Sequence, residues 1–78
     1  MKLTEMKLIT FLNGTLKIDG ELVADTELFS SGALDSVAML QLITFVEEEA
    51  GIRVRPEDVT LDNFDSATRI VRFAESQL

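Results

Sequence analysis

A serine at the start of an apolar segment is the residue of this chain best placed for chemistry. Ser36 follows Asp35 and precedes a long apolar run with helical spacing, residues 37–46. This arrangement places a hydroxyl and a carboxylate at the exposed start of a helix. The chain has no histidine and no cysteine, so Ser36 lacks the general base that would activate a catalytic serine. The pattern favours a serine that another enzyme modifies, in a chain that is not an enzyme itself.

A simpler role for Ser36 is to cap the helix that it begins. Taken alone, an Asp-Ser pair before a helix serves as a cap far more often than as a modification site. Asp65-Ser66 is a second such pair, and capping fully explains it.

Length, charge and composition exclude several classes of function. The 78 residues predict one small domain, residues 1–78, with a net charge of −7 that disfavours nucleic-acid binding. No Cys/His set exists to hold a metal, and no apolar segment approaches the roughly 18 residues of a membrane span. The absence of cysteine fits a reducing compartment, so we expect a cytoplasmic location. We also expect a monomer.

Helical periodicity predicts an all-α bundle of three main helices and one short helix. The main helices are predicted over residues 2–13, over residues 36–50 with Gly51 as a left-handed cap, and after Asp65-Ser66. The short helix is predicted from Pro56 to about Leu61. Five residues of the second helix are assigned to the core: Met39, Leu42, Ile43, Val46 and Ala50.

The long segment between the first two main helices allows two interpretations. Its alternating pattern and its Asp19-Gly20 pair are typical of a β-hairpin. An isolated hairpin is marginal in water, and no other segment has the pattern of a strand. We therefore predict that residues 15–33 form a long ordered loop that contacts the bundle through Ile18, Leu22, Leu28 and Phe29.

The second helix has more apolar residues than its core-facing side needs. Phe45 and an uncharged outer stripe lie outside the core-facing positions. We call Val37, Leu40, Gln41 and Thr44 the outer stripe. In a domain this small, neighbouring helices can hardly cover such a helix on every side, so the outer stripe is predicted to bind partner proteins. The alternative is that the long loop covers it.

The stretch Gly32-Ala33-Leu34-Asp35-Ser36-Val37 resembles the attachment motif of acyl and peptidyl carrier proteins. The resemblance extends over nearly the whole chain, from the first helix through Asp25-Thr26-Glu27-Leu28-Phe29 and Pro56-Glu57-Asp58 to the last helix. It implies a four-helix bundle with a long first loop.

The resemblance also implies a cofactor and partners. Ser36 would carry 4′-phosphopantetheine through a phosphodiester, and Asp35 would support the attachment site. A phosphopantetheinyl transferase would install the group. An adenylating ligase or an acyltransferase would load it, and downstream synthase enzymes would use the cargo. The chain has no thiol of its own, so the prosthetic arm would supply the sulfur of a thioester.

Departures from the family pattern favour a specialised pathway. Carriers of fatty-acid synthesis usually have acidic residues soon after the serine, whereas this chain has Ala38 and Gln41, with Val37 in place of the usual leucine. We therefore expect a free-standing carrier of acyl or aminoacyl groups in polyketide or nonribosomal peptide biosynthesis. The alternatives are a housekeeping fatty-acid carrier and, in a different class, a helical interaction module that carries nothing.

Overall fold

The computed structural model describes residues 2–18, 20–30, 32 and 34–78, and these parts of the chain contain four α-helices. The helices are α1 (Glu5–Gly14), α2 (Ser36–Ala50), α3 (Leu61–Phe64) and α4 (Ala67–Ser76). No strand forms within these ranges. The prediction of an all-α bundle with three main helices and a long first loop is confirmed.

The last helix organises the bundle, because α4 contacts α1, α2 and α3. Its apolar side chains meet those of the other helices in one core. The largest fully buried side chains are Leu8, Leu12, Leu28, Leu42, Val46, Phe64 and Ile70. The part of the chain that the structure describes has no helix long and apolar enough to cross a membrane.

Neighbouring residues determine where α1 begins and where α2 ends. The hydroxyl of Thr4 accepts a hydrogen bond from the N–H of Lys7, so α1 begins at Glu5 and not at Lys2 as predicted. The N–H of Lys2 instead donates to the carbonyl of Glu49 at the end of α2. Gly51 ends α2 with φ of 68°, a conformation that glycine adopts without strain, and this cap is confirmed.

The short helix predicted from Pro56 to Leu61 is in fact two separate turns. A 3₁₀ turn occupies Pro56–Asp58, and α3 begins only at Leu61. The hydroxyl of Thr60 accepts a hydrogen bond from the N–H of Asn63 and so acts as a new N-cap. Because Thr60 adopts the extended conformation of a cap, the two turns cannot join into one helix.

The loop between α1 and α2 is held against the bundle without forming a hairpin. Leu28 is fully buried, and Ile18, Leu22 and Phe29 are half-buried against the core, as predicted. The N–H of Thr68 in α4 donates to the carbonyl of Ala24 in the middle of the loop. The described part of the loop contains no strand, and Asp19 of the Asp-Gly pair lies outside the described residues.

The buried face of α2 differs in part from the predicted one. Leu42, Val46 and Ala50 are buried, and Met39 and Ile43 are half-buried and pack against the core. Phe45, which the sequence placed among the surplus apolar residues, is also half-buried against the core, as Met39 and Ile43 are. The centre of the core-facing side is therefore Leu42 and Val46.

Candidate functional site

The start of α2 is fixed by Asp35. A side-chain oxygen of Asp35, Oδ1, accepts a hydrogen bond of 2.8 Å from the N–H of Ala38. Its backbone is extended, and its carbonyl accepts the N–H of Met39 at 2.9 Å. Asp35 is therefore the N-cap of α2, and Ser36 is the first residue of the helix.

Ser36 presents its hydroxyl to solvent at this helix end. The residue is exposed, and its hydroxyl makes no hydrogen bond to any of the described residues. Capping is carried out by Asp35, so the simpler role proposed for Ser36 does not hold. Apart from the Asp35 carboxylate, which accepts the N–H of Ala38, this helix end has no acidic side chain in its first turn.

The other described serines use their hydroxyls within the fold. Ser66 is only 5% exposed and accepts a hydrogen bond from the N–H of Arg69 as the N-cap of α4, as predicted. The Ser30 hydroxyl donates to Asp65 at 2.7 Å, and the Ser76 hydroxyl donates to the carbonyl of Phe73 at 2.6 Å. The remaining serine, Ser31, lies outside the described residues.

The segment that leads into Ser36 makes a tight turn and then contacts the core. The N–H of Gly32 donates to the carbonyl of Phe29, and Gly32 has φ of 76°, a conformation that suits glycine. Leu34 is half-buried and packs against the core. Ala33 of the attachment motif lies outside the described residues.

Asp65, between α3 and α4, binds the other end of this segment. Its Oδ1 accepts the N–H groups of Phe29 at 2.9 Å and Ser30 at 3.0 Å. Its backbone carbonyl accepts the N–H of Leu28 at 2.8 Å. The sequence indicated Asp65 only as a source of capping oxygens. Its loop partners, 35 and 36 residues away, gave no local signal.

The hydrogen bonds also change the acidity of Asp65. The side chain is 7% exposed. Hydrogen bonds from the N–H and the hydroxyl of Ser30 hold the pKa of this carboxyl below its ordinary value of 3.8. Burial acts in the opposite direction, and the N–H groups of Phe29 and Leu28 add to the lowering. Asp65 is therefore a carboxylate whose charge is stabilised by N–H and O–H donors.

The outer stripe of α2 is exposed along its length. Val37 is 64% exposed, Leu40 is 66% exposed, and Gln41 and Thr44 are also exposed. The alternative that the long loop covers these residues is wrong. A largely apolar groove adjoins Leu40 on one side of the stripe, and its other lining residues are Ile43, Val54, Arg55, Pro56 and Val59.

A second groove adjoins the outer stripe on the side of α1. Gln41 and Thr44 form part of its lining, together with Phe11, Phe45 and Glu48. The outer stripe thus lies between two grooves. The residues of the stripe that line them are within about three turns of Ser36 along α2.

Comparison with protein families distinguishes between the two classes of function that the sequence left open, a carrier and a helical interaction module. The family model of the phosphopantetheine attachment site matches residues 7–74. The chain belongs to this family. The match runs from within α1 to within α4 and includes Asp35-Ser36 and the whole of α2. No curated protein matches the chain.

Membership of the phosphopantetheine attachment family confirms the resemblance to acyl and peptidyl carrier proteins. In this family 4′-phosphopantetheine is covalently bound to a serine, and the domain acts as a carrier. Carrier domains interact with a phosphopantetheinyl transferase and with partner enzymes. The start of α2 fits such a group, because it offers an exposed hydroxyl on a helix end with no acidic side chain in its first turn.

Proposed function

We propose that the chain carries acyl or aminoacyl groups as thioesters on a 4′-phosphopantetheine arm attached to Ser36, within a polyketide or nonribosomal peptide pathway. Ser36 is the one serine among the described residues whose hydroxyl is exposed and makes no hydrogen bond within the fold. Three others donate or accept hydrogen bonds through their hydroxyls: Ser30, Ser66 and Ser76. This difference between Ser36 and the other described serines is the main support for the proposal.

The position of Ser36 suits formation of a phosphodiester. The Ser36 oxygen loses its proton and bonds to the phosphorus next to the pantetheine half of coenzyme A, and the nucleotide half leaves with its phosphate. The transferase supplies the catalytic groups, so the carrier needs only an exposed hydroxyl on a fixed backbone. Free N–H groups and the helix dipole at the start of α2 favour the phosphate that remains.

Asp35 supports this site by fixing the backbone that presents the serine. Its carboxylate is bound to the N–H of Ala38, which orients it along the helix end. When bound, the arm supplies a thiol that forms thioesters. The chain itself contributes a rigid helix end and a docking surface, and we assign it no catalytic step.

The surface of α2 supports the proposed pathway. The outer stripe, Val37, Leu40, Gln41 and Thr44, is exposed and uncharged, so apolar burial is expected to dominate partner binding. The proposed partners are a phosphopantetheinyl transferase, an adenylating ligase or acyltransferase, and downstream synthase enzymes. A cysteine-free chain fits a reducing compartment, and we propose a cytoplasmic location.

The attachment proposal is tested by intact-mass measurement after incubation with coenzyme A and a promiscuous phosphopantetheinyl transferase. The natural protein and the Ser76→Ala control should each gain one phosphopantetheinyl group. Ser36→Ala should gain none and should keep its helical circular-dichroism spectrum, because the hydroxyl makes no hydrogen bond to the described residues. Modification that persists in Ser36→Ala would contradict the proposal.

A further inference from the structure

Asp65 joins two parts of the molecule that are distant in sequence. Through its side chain and its carbonyl it accepts hydrogen bonds from three consecutive loop residues, Leu28, Phe29 and Ser30. It lies at the junction of α3 and α4, where Phe64 and Ser66 on either side of it are buried. The loop is thereby attached to a buried part of the bundle.

The attached residues lead directly to the start of α2. Ser30 precedes Ser36 by six residues. Between them, the Gly32 turn and the packing of Leu34 restrict the chain further. The N-cap bond of Asp35 fixes the helix end itself, whereas Asp65 fixes the loop that reaches it.

We infer that Asp65 is a positioning residue for the modification of Ser36, because it holds the loop on the N-terminal side of the serine in one conformation. The inference rests on the proposed function. We expect a transferase that reaches Ser36 to contact the chain on both sides of the serine. A loop ordered in advance makes that contact without further loss of conformational freedom.

Removal of the Asp65 carboxylate has a defined physical consequence. The N–H groups of Phe29 and Ser30 and the hydroxyl of Ser30 lose their acceptor. The loop then samples more conformations in the free carrier, and binding to the transferase must restrict them. The Asp35 cap still fixes Ser36 itself, so the loss is expected in KM for the carrier and not in kcat.

The test is steady-state kinetics of modification with coenzyme A and a promiscuous transferase, at varied carrier concentration. Restricting about one backbone residue corresponds to a rise of roughly tenfold in KM for Asp65→Ala. The turnover number should stay within about twofold of the natural value. Asp65→Asn should restore most of the affinity, because its carbonyl oxygen can accept the N–H groups of Phe29 and Ser30.

Two further variants isolate the contact from general effects. Asp62→Ala removes a carboxylate three residues away that is 97% exposed, and its KM should equal that of the natural protein. Ser30→Ala removes only the hydroxyl bond and should raise KM by about threefold, the equivalent of one modest hydrogen bond. In the Asp65→Ala background, Ser30→Ala should add nothing.

The outcomes separate this inference from the proposed function. A natural protein that is not modified at Ser36 would contradict the function itself. Normal modification of the natural protein, with KM unchanged in a folded Asp65→Ala variant, would overturn the role of Asp65. If Asp65→Ala does not fold, the exposed Ser30→Ala variant decides the question, and an unchanged KM there overturns the inference.

Discussion

The ring of Phe11 in α1 stacks on the ring of Phe45 in α2, with centroids 4.2 Å apart and planes inclined by 16°. Both residues are half-buried, and both line the groove that Gln41 and Thr44 form with α1. This pair joins the two helices. The stack also accounts for the half-burial of Phe45.

The stack predicts a measurable coupling between these residues. Phe11→Leu, Phe45→Leu and the double variant should give a coupling energy of about 0.5–1.5 kcal/mol in a double-mutant cycle. Urea denaturation followed by circular dichroism measures the free energies of unfolding. Simple additivity of the two single substitutions would show that the rings contribute only through separate burial.

Residues of α2 that lie within three positions of one another should differ sharply in their contributions to stability. Leu42 is fully buried, so Leu42→Ala should lower the free energy of unfolding by about 2–5 kcal/mol. Leu40 is 66% exposed, and Leu40→Ala should change it by no more than about 0.5 kcal/mol. Ile43→Ala should fall between these limits, because Ile43 is half-buried. Chemical denaturation checks the order, and a loss for Ile43→Ala larger than that for Leu42→Ala would contradict the observed helix face.

Features governed by neighbouring residues could be predicted from the sequence. The bounds of α2, the Gly51 cap and the capping role of Ser66 follow from side chains a few residues apart. The separation of the predicted short helix into a 3₁₀ turn and α3 could not be predicted, because the sequence alone did not reveal that Thr60 caps a new helix.

Features that depend on distant contacts could not be predicted. In a helix that is apolar on most sides, periodicity does not predict that Phe45 packs against the core as Ile43 does, because its stack with Phe11 depends on another helix. The attachment of the loop to Asp65 joins residues 35 and 36 positions apart, a relationship that no local pattern encodes.

Asp65 should make the stability of the domain dependent on acidic pH. Its pKa in the folded protein is below that of the unfolded chain, so protonation favours unfolding. The stabilisation is fully present above the ordinary value of 3.8 and is lost as the pH falls through the lower, folded-state pKa. The measurement is the urea midpoint from about pH 6 down to about pH 2.5 for the natural protein and Asp65→Asn. The difference between them should be constant at the upper end and shrink in the acid range, whereas parallel curves throughout would contradict the prediction.

Partner docking should depend on apolar contact and only weakly on salt. The outer stripe carries no charge, so cargo transfer from a cognate ligase should largely persist as the Debye length falls from about 10 Å at 0.1 M salt to about 3 Å at 1 M. Leu40→Asp should abolish transfer without unfolding the protein, because Leu40 is exposed.

Leu40→Ala is the matched control for the charge at this position and should retain part of the transfer activity. Steep inhibition by salt, combined with a harmless Leu40→Asp substitution, would instead favour a carrier of fatty-acid synthesis that docks through acidic residues such as Glu47 and Glu48.

Direct mapping of the modified residue tests the central claim that Ser36 holds the arm. Cleavage before each aspartate separates the serines into residues 25–34 with Ser30 and Ser31, residues 35–57 with Ser36, and residues 65–78 with Ser66 and Ser76. After modification with coenzyme A and a transferase, mass spectrometry should find the phosphopantetheinyl group on the 35–57 peptide alone. Its presence on either of the other two peptides, with the 35–57 peptide unmodified, would contradict the account.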